Sequence, residues 1–211
     1  MARRRKEEAR ETRERILDAA ITVFHERGVA RPSLTDIAEL AGVTRGAVYG
    51  HFRNKADLLS AMAARIDLPA DSLCEGGLGP CTDPLGELRS RWLALYREIV
   101  RNRQWQLIFE ILFHRCELVD ESGEIRDRML EGHGRGIDRV HRLLQQAVEA
   151  GQLAPDIDTR VAAHFLHAAL IGLLHDWLLR PEAFDFATQG ERFIDATLEL
   201  IAHSPQLRRA Q

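Results

Sequence analysis

The spacing of apolar residues along the chain predicts helices nearly throughout. Ile16, Ala20 and Phe24 recur every four residues, which places them on one face of a helix from about Glu8 to Arg27. Similar stripes predict helices at about 34–41, 44–51, 55–67, 84–101, 104–118, 122–150, 158–180 and 188–203. Runs of β-branched and aromatic residues, on which strands depend, are missing. The pattern predicts an all-α fold of about nine helices.

Residues that favour helix caps and turns mark the ends of these helices. Glycine adopts the left-handed backbone at a helix end most easily, and short polar side chains make good N-caps. The predicted C-terminal caps are Gly28, Gly42 and Gly151, and the predicted N-caps are Ser33, Thr44, Asp83 and Asp158. One clear break, from Leu68 to Thr82, is rich in glycine and proline and is predicted to be a loop.

Charge is unevenly distributed on the two sides of this break. Residues 1–66 hold 13 Lys and Arg against 9 Asp and Glu, a net charge of +4, and the remainder holds 29 − 13 = 16 against 32 − 9 = 23, a net charge of −7. A basic head on an acidic body suits a head that binds nucleic acid. We therefore expect a DNA-binding domain at 1–66 and a second, helical domain at 67–211.

Membrane insertion and secretion are not expected. The longest strongly apolar stretch, Ala168 to Leu174, is far shorter than the ~20 residues that a spanning helix needs. The basic start of the chain runs into glutamates rather than into an apolar segment. Cys74, Cys81 and Cys116 lack metal-ligand spacing and suit a reducing cytoplasm, either as free thiols or with Cys74 and Cys81 paired under oxidation.

The nine histidines raise the possibility of a metal site or a catalytic site. His164, His167 and His175 share one face of a predicted helix, but His164 and His175 would lie roughly 16 Å apart along it, too far to share an ion. Glu110 and His114 are four residues apart, and no second pair completes a site. We therefore expect no metal, no cofactor and no enzymatic activity.

A helix-turn-helix motif is predicted from Leu34 to Phe52. It needs two short helices and a tight turn, so that the second helix enters the major groove of DNA. Here an apolar helix leads into Ala41-Gly42-Val43, and the recognition helix follows from Thr44 to His51. Val43, Ala47 and Val48 are expected to pack inward, which leaves Thr44, Arg45, Tyr49 and His51 for DNA.

Each outward residue has a chemistry that suits DNA. Arg45 is able to bind a guanine edge or a phosphate, and the hydroxyls of Thr44 and Tyr49 suit backbone oxygens. Lys55, which opens the next helix, is expected to contact a phosphate, and Gly46 permits close approach. The basic segment 3–6 is either a solvated tail or a further phosphate or minor-groove contact.

These residues also carry a family resemblance. The string Thr-Arg-Gly-Ala-Val-Tyr-Gly-His-Phe-Arg-Asn-Lys-Ala-Asp-Leu over 44–58, preceded by Leu-Thr-Asp-Ile-Ala over 34–38, resembles the signature of the TetR family of bacterial repressors. The resemblance implies DNA contacts from Ser33, Thr35, Thr44, Arg45, Gly46, Tyr49, His51 and Lys55. Gly50 departs from the family pattern, because many relatives carry Trp or Tyr there, so an operator preference cannot be transferred.

The rest of the chain resembles one subgroup of that family, the AcrR-like and TtgR-like repressors of multidrug efflux pumps. The resemblance is carried by residues 83–85, 110–118, 172–179 and 204–208. It implies a cavity for hydrophobic drugs, in which Asp67 would attract cations and Arg91 would meet anionic or phenolic groups. The implied lining is Ile66, Asp67, Leu88, Arg91, Leu95, Phe109, Phe113, Val140, His167, Leu170, Ile171 and His175. For any single apolar member, the alternative is an ordinary role in the protein core.

The last two predicted helices carry broad apolar stripes that suit a four-helix dimer interface, although they also suit an internal core. The resemblance favours a homodimer through Phe165, Leu173, Trp177, Phe193, Thr197, Leu200 and Ile201. The sequence therefore predicts a dimeric repressor of a multidrug efflux pump operon. It would bind a pseudo-palindromic double-stranded DNA operator, and a hydrophobic effector would release it. The alternative is a constitutive dimeric DNA-binding regulator without an effector.

Overall fold

The computed structural model describes residues 2–74, 82–116 and 123–209, with backbone alone at 2–3, 67–74, 123–125 and 128–129. Within those ranges the chain forms nine α-helices and one isolated β-bridge, between Ile157 and Arg208. The helices are α1 (Ala2–Arg27), α2 (Leu34–Ala41), α3 (Arg45–His51), α4 (Lys55–Cys74), α5 (Pro84–Arg101), α6 (Arg103–Glu110), α7 (Gly123–Glu149), α8 (Thr159–Leu179) and α9 (Phe186–His203). A π-helical turn (Ile111–Arg115) follows α6, and a short 3₁₀ turn (Pro205–Leu207) follows α9. The predicted all-α fold class is confirmed.

The predicted caps are confirmed at every position. Gly28, Gly42 and Gly151 have positive φ angles of 77°, 62° and 73°. The side chains of Ser33, Thr44, Asp83 and Asp158 each accept a backbone N–H from the first turn of the helix that follows. Local sequence therefore determines where these helices begin and end.

Three predicted boundaries were wrong. Helix α1 begins at Ala2 rather than near Glu8, because arginine and glutamate pairs such as Arg4 and Glu8 support its first turns. Helix α4 continues through Pro69 to Cys74, where a loop was expected from the proline and glycine content of the segment. The helix expected over 104–118 is α6 with the π-helical turn. Cys81 lies outside the described residues, and Cys116 is a half-buried free thiol.

The chain divides into two compact units, one of residues 1–68 with 104–128 and one of residues 69–103 with 129–211. The first unit therefore contains the segment 104–128 in addition to the N-terminal helices. The assignment of functional domains to 1–66 and 67–211 stays a prediction.

The core of the first unit is built on α1. Helix α1 packs against α2, α3 and the π-helical turn, and α2 packs against α3. The fully buried apolar side chains of this unit are Ile16, Leu17, Ala20, Phe24, Ile37, Val48, Leu58, Met62, Ile108 and Ile111. The i, i+4 spacing in α1 thus forms the buried stripe that the sequence predicts.

Polar contacts join α1 to α4 and α6 inside this unit. Arg65 of α4 donates to Glu14 and to Asp18 of α1, with N–O distances of 2.6 Å each. Glu110, the last residue of α6, lies 2.6 Å from the imidazole of His25. These contacts fix the polar side of α1, whose apolar side forms the core.

In the second unit, Tyr96 lies where α5, α8 and α9 meet. Its buried hydroxyl donates to the carbonyl of Leu170 at 2.6 Å, and its ring lies 4.5 Å from the ring of Phe186. Burial raises the pKa of this phenol far above its ordinary value. Gly190 of α9 leaves room for the ring, because a Cβ there would lie 2.9 Å from Tyr96 Cδ2.

In the second unit, ion pairs join α5 to α9, and burial in the core accounts for the apolar character of α8. Arg89 of α5 donates to Glu191 and Asp195 of α9 at 2.7 and 2.5 Å. Helix α8 is long and apolar enough to cross a membrane by length and composition alone. Its buried residues, among them Leu166 and Leu174, lie in the protein core, which accounts for that composition.

Gly190→Ala is expected to destabilise the protein by about 1–3 kcal/mol, because the added methyl group overpacks against Tyr96. The measurement is urea unfolding at fixed protein concentration. The matched control is Gly134→Ala in α7, where a Cβ meets nothing within 4 Å. That change should stabilise the protein by up to about 1 kcal/mol through helix propensity. Equal effects of the two substitutions would contradict the packing role of Gly190.

Candidate DNA-binding interface and effector-binding residues

The turn between α2 and α3 is held by backbone geometry and by one arginine of α1. Gly42 is left-handed, and its N–H donates to the carbonyls of Ala38 and Glu39. Arg15 donates through Nη2 to the carbonyls of Ala41 and Gly42, at 2.6 and 3.3 Å. The C-terminal carbonyls of α2 are therefore satisfied from outside the helix, as helix ends require. Sequence reasoning missed this role of Arg15.

The recognition helix α3 is fixed at both ends. The hydroxyl oxygen of Thr44 accepts the N–H of Ala47 at 3.1 Å, so Thr44 is its N-cap. Val48 is fully buried, and Phe52, directly after the helix, is buried beneath the guanidinium of Arg13 at 5.3 Å. The expected inward packing of Val48 is confirmed, while Val43 and Ala47 are half-buried.

Helix α3 carries four of the eight residues predicted to contact DNA. Arg45, Gly46 and Tyr49 are exposed, and His51 is half-buried in the last turn. Gly50 is also exposed, and a Cβ there would meet nothing within 4 Å. The fold therefore leaves this side of the helix open to a ligand.

Ser33 and Thr35 lie at the start of α2. Ser33 forms a capping box with Asp36, whose carboxylate accepts the hydroxyl and the N–H of Ser33 at 2.5 and 2.7 Å. The bond from the Ser33 side chain is the largest cause of the lowered pKa of Asp36. Thr35 is exposed and follows this cap directly.

Lys55, at the start of α4, has a structural role beside the predicted phosphate contact. Its Nζ donates to the carbonyls of Val29 and Ala30, at 2.8 and 2.6 Å. Burial lowers the pKa of this ammonium group. Two of its three N–H donors thus connect the start of α4 to the segment after α1, and the third is left for another acceptor.

The residues predicted to bind an effector are divided between the two units. Ile66, Phe109 and Phe113 belong to the first unit, where the two phenylalanine rings lie 5.5 Å apart. Asp67 lies in α4, and its side chain is outside the described part of the structure. The second unit contains Leu88, Arg91, Leu95, Val140, His167, Leu170, Ile171 and His175. Leu88, Val140, His167 and Leu170 are buried, and the other four are half-buried.

His167 is the most unusual polar group of that set. Its ring lies 4.7 Å from the ring of His133 and 6.3 Å from that of Trp92, edge to face in both cases. Gly136 makes room for it, because a Cβ there would lie 2.9 Å from Nε2. Burial, followed by nearby positive charges, lowers the pKa of His167 to about 4. The imidazole is therefore neutral at pH 7, with one donor and one acceptor.

Arg91 has a carboxylate partner within its own helix, and the histidines of α8 differ in burial. Arg91 donates through Nε to Glu87 at 2.7 Å, so its charge is offset locally. His164 is exposed whereas His167 is buried, so the two imidazoles lie in different surroundings although they are three residues apart. Among the described residues, no three His, Cys, Asp or Glu side chains form a group that could hold a metal ion.

Comparison with family models identifies both parts of the chain. The model for bacterial regulatory proteins of the tetR family matches residues 16–62, and the model for the C-terminal region of MAATS-type transcriptional repressors matches residues 83–203. The chain belongs to the TetR family. The family resemblance read from the recognition helix is thereby confirmed, and members of this family are transcriptional regulators.

Individual relatives match over nearly the whole length of this TetR-family chain. The HTH-type transcriptional regulator TtgR of Pseudomonas putida is 42% identical, over 99% of this chain and 100% of its own length. The crystal structure of NalD, the secondary repressor of the MexAB-OprM multidrug efflux pump in Pseudomonas aeruginosa, has a TM-score of 0.82. It is 36% identical and covers 92% of this chain and 96% of its own.

A ligand-bound relative is also similar. The complex of SmeT with triclosan has a TM-score of 0.83 and is 33% identical, covering 95% of this chain and 96% of its own. SmeT is the repressor of the multidrug efflux pump SmeDEF of Stenotrophomonas maltophilia. The predicted subgroup of multidrug efflux repressors is therefore confirmed as the one to which this chain is similar.

Stability should depend on pH through His167. Its pKa is lowered from 6.5 to about 4 in the folded protein, so the unfolded chain binds an additional proton as the pH falls through that interval. Stability is then fully present above about pH 6.5 and is lost towards pH 4, by on the order of 1–3 kcal/mol. His167→Asn should remove this part of the loss. The measurement is urea unfolding of both proteins from pH 7.5 to 4.5, and parallel curves would contradict the prediction.

Proposed function

We propose that this protein is a homodimeric transcriptional repressor of a multidrug efflux pump operon that a hydrophobic effector releases from its operator. The observation that carries the proposal is its end-to-end similarity to efflux-pump repressors, together with an open recognition helix. The proposal places the protein in the cytoplasm, where it acts by binding alone, without catalysis or a cofactor.

The proposed DNA contacts lie on α3 and at the starts of α2 and α4. Arg45 suits a guanine edge or a phosphate, and Lys55 keeps one N–H donor for a phosphate oxygen. Thr44 is exposed and carries a hydroxyl that suits the DNA backbone, and Tyr49 is exposed beside Arg45. Ser33, Thr35, Gly46 and His51 complete the proposed interface.

Exposed apolar side chains support a dimer through α8 and α9. Val161 and Phe165 of α8 are 47% and 38% exposed, and Phe193 and Leu200 of α9 are 38% and 54% exposed. Such side chains gain by burial against a second copy. The two aromatic members, Phe165 and Phe193, are of the residue type that interfaces favour.

The protomer core uses part of the predicted interface set. Trp177 is stacked on Phe186 with ring centroids 4.8 Å apart, and the hydroxyl of Thr197 donates to the carbonyl of Phe193 at 2.7 Å. Ile201 is fully buried. We therefore rest the proposed interface on Phe165, Phe193, Leu200 and the half-buried Leu173.

The proposed switch is a change in the spacing of the two recognition helices. A dimer reads two half-sites when those helices lie one DNA turn apart, roughly 34–36 Å. An effector that binds better to a form with another spacing shifts the population off DNA. Helix α4 begins four residues after α3 ends, so in this proposal a movement of α4 also moves the recognition helix α3.

Triclosan is the probe for the effector, since a relative's structure holds it. Full-length protein is first used to select its operator from random double-stranded oligonucleotides. Triclosan should then change the fluorescence of Trp92, Trp105 and Trp177 and release the labelled operator with the same midpoint. Binding of triclosan without DNA release would contradict the switch. If a panel of hydrophobic compounds changed neither signal, the protein would be a constitutive regulator.

The dimer is tested by a matched pair of substitutions. Leu200→Asp, at a side chain 54% exposed, is expected to give a monomer in sedimentation velocity because it places a charge in an apolar interface. Affinity for the selected operator should fall with it. Leu130→Asp, at a leucine 55% exposed on α7, should leave both unchanged. A Leu200→Asp protein that remains dimeric would contradict the proposed interface.

A further inference from the structure

The outward side of the recognition helix has two different halves. Successive residues of a helix are turned by about 100°, so Arg45 and Tyr49 lie within about 40° of each other, and Gly46 and Gly50 lie together beside them. Val48, about 160° around the helix from each of these glycines, is fully buried. Only the first pair offers side chains beyond the backbone, because both positions of the second pair are glycines.

Arg45 and Tyr49 are in contact with each other. The guanidinium carbon of Arg45 lies 5.3 Å from the centroid of the Tyr49 ring. Nη2 of Arg45 also lies 3.4 Å from the Tyr49 hydroxyl, to which it donates. Both residues are exposed, and Tyr49 as a whole is 47% accessible. The contact thus forms on the surface of the helix and is not imposed by the core.

Such a contact restricts the arginine side chain before it binds the planar edge of a base. A free arginine loses up to about 2 kcal/mol of rotamer freedom when it is fixed. Stacking on an aromatic ring narrows that freedom before DNA arrives, as preorganisation requires. One of the five N–H donors is used by the hydroxyl, so enough remain for the paired bonds to O6 and N7 of guanine.

Gly46 and Gly50 have no side chain with which to contact base edges. A Cβ at Gly46 would meet only the hydroxyl oxygen of Thr44, at 3.9 Å, and one at Gly50 would meet nothing within 4 Å. Packing therefore does not require glycine at either position, and each costs the helix about 1 kcal/mol of propensity relative to alanine. Neither residue supplies a group for reading base edges.

We propose that Tyr49 is a positioning residue that holds Arg45 for a guanine in each operator half-site. This inference rests on the proposed function, because it concerns how the same interface selects its DNA. It differs from a role in which the Tyr49 hydroxyl itself binds a phosphate. In that role the hydroxyl would matter for every DNA sequence, whereas a positioning ring matters only through Arg45.

The test uses the full-length protein and the operator selected from random oligonucleotides. Fluorescence anisotropy compares the selected duplex with one in which the Arg45-dependent guanine is replaced in both half-sites. The wild type should prefer the selected duplex by about tenfold or more. Tyr49→Ala should reduce that preference to a few-fold, and Tyr49→Phe, which keeps the ring, should retain most of it.

A double-mutant cycle shows whether Tyr49 acts through Arg45. Arg45→Ala should abolish the preference, and adding Tyr49→Ala to it should change nothing further. An undiminished preference in Tyr49→Ala would overturn the inference, as would a Tyr49→Phe protein that binds both duplexes equally more weakly. Urea unfolding checks that each variant is folded, as is expected for exposed positions.

The same experiment separates this inference from the proposed function. If the wild type enriches no sequence, DNA-specific repression and the positioning role both fail. If it enriches an operator in which no guanine depends on Arg45, only the positioning role fails.

Discussion

A helix as short as α3 does not hold its shape in water by itself. Its seven residues are well below the ~12–15 at which isolated helices become even marginal, and two of them are glycines. The recognition helix therefore depends on Val48 in the core, on Phe52 beneath Arg13 and on the hydroxyl cap of Thr44. The direction in which α3 faces DNA is consequently a property of the whole first unit.

The segment after α1 connects two parts of the first unit that are far apart in sequence. The N–H of Val29 donates to the carbonyl of Arg115, in the π-helical turn, at 3.1 Å. The carbonyl of the same residue accepts from Lys55, at the start of α4. Val29 is thus hydrogen-bonded both to the π-helical turn after α6 and to α4, the helix that follows α3. A displacement of the π-helical turn has a hydrogen-bonded route to the start of α4, where the proposed switch acts.

Caps, apolar stripes and the recognition helix could be predicted because they depend on residues within about four positions of one another. Other hydrogen bonds span about 26 residues of sequence. They are the bond from Arg15 to the turn after α2 and the bonds from Lys55 to Val29 and Ala30. Their donors are known from sequence, but their acceptors are backbone carbonyls, which any residue supplies. The same limit applies to the dimer set, in which Trp177 and Ile201 have the same apolar character as Leu200 yet belong to the core.

Some arginines of this protein are held by carboxylates, whereas Arg45 is held by an aromatic ring. The difference bears on DNA binding. Arg65 and Arg89 are each held by two carboxylates, which fix the side chain and cancel its charge. Within the described residues Arg45 has no such ion pair and is held by the Tyr49 ring. A carboxylate beside the duplex would repel its phosphates, whereas a ring orients the guanidinium and leaves its charge in place. An aromatic partner therefore suits Arg45 in its proposed role as a DNA contact.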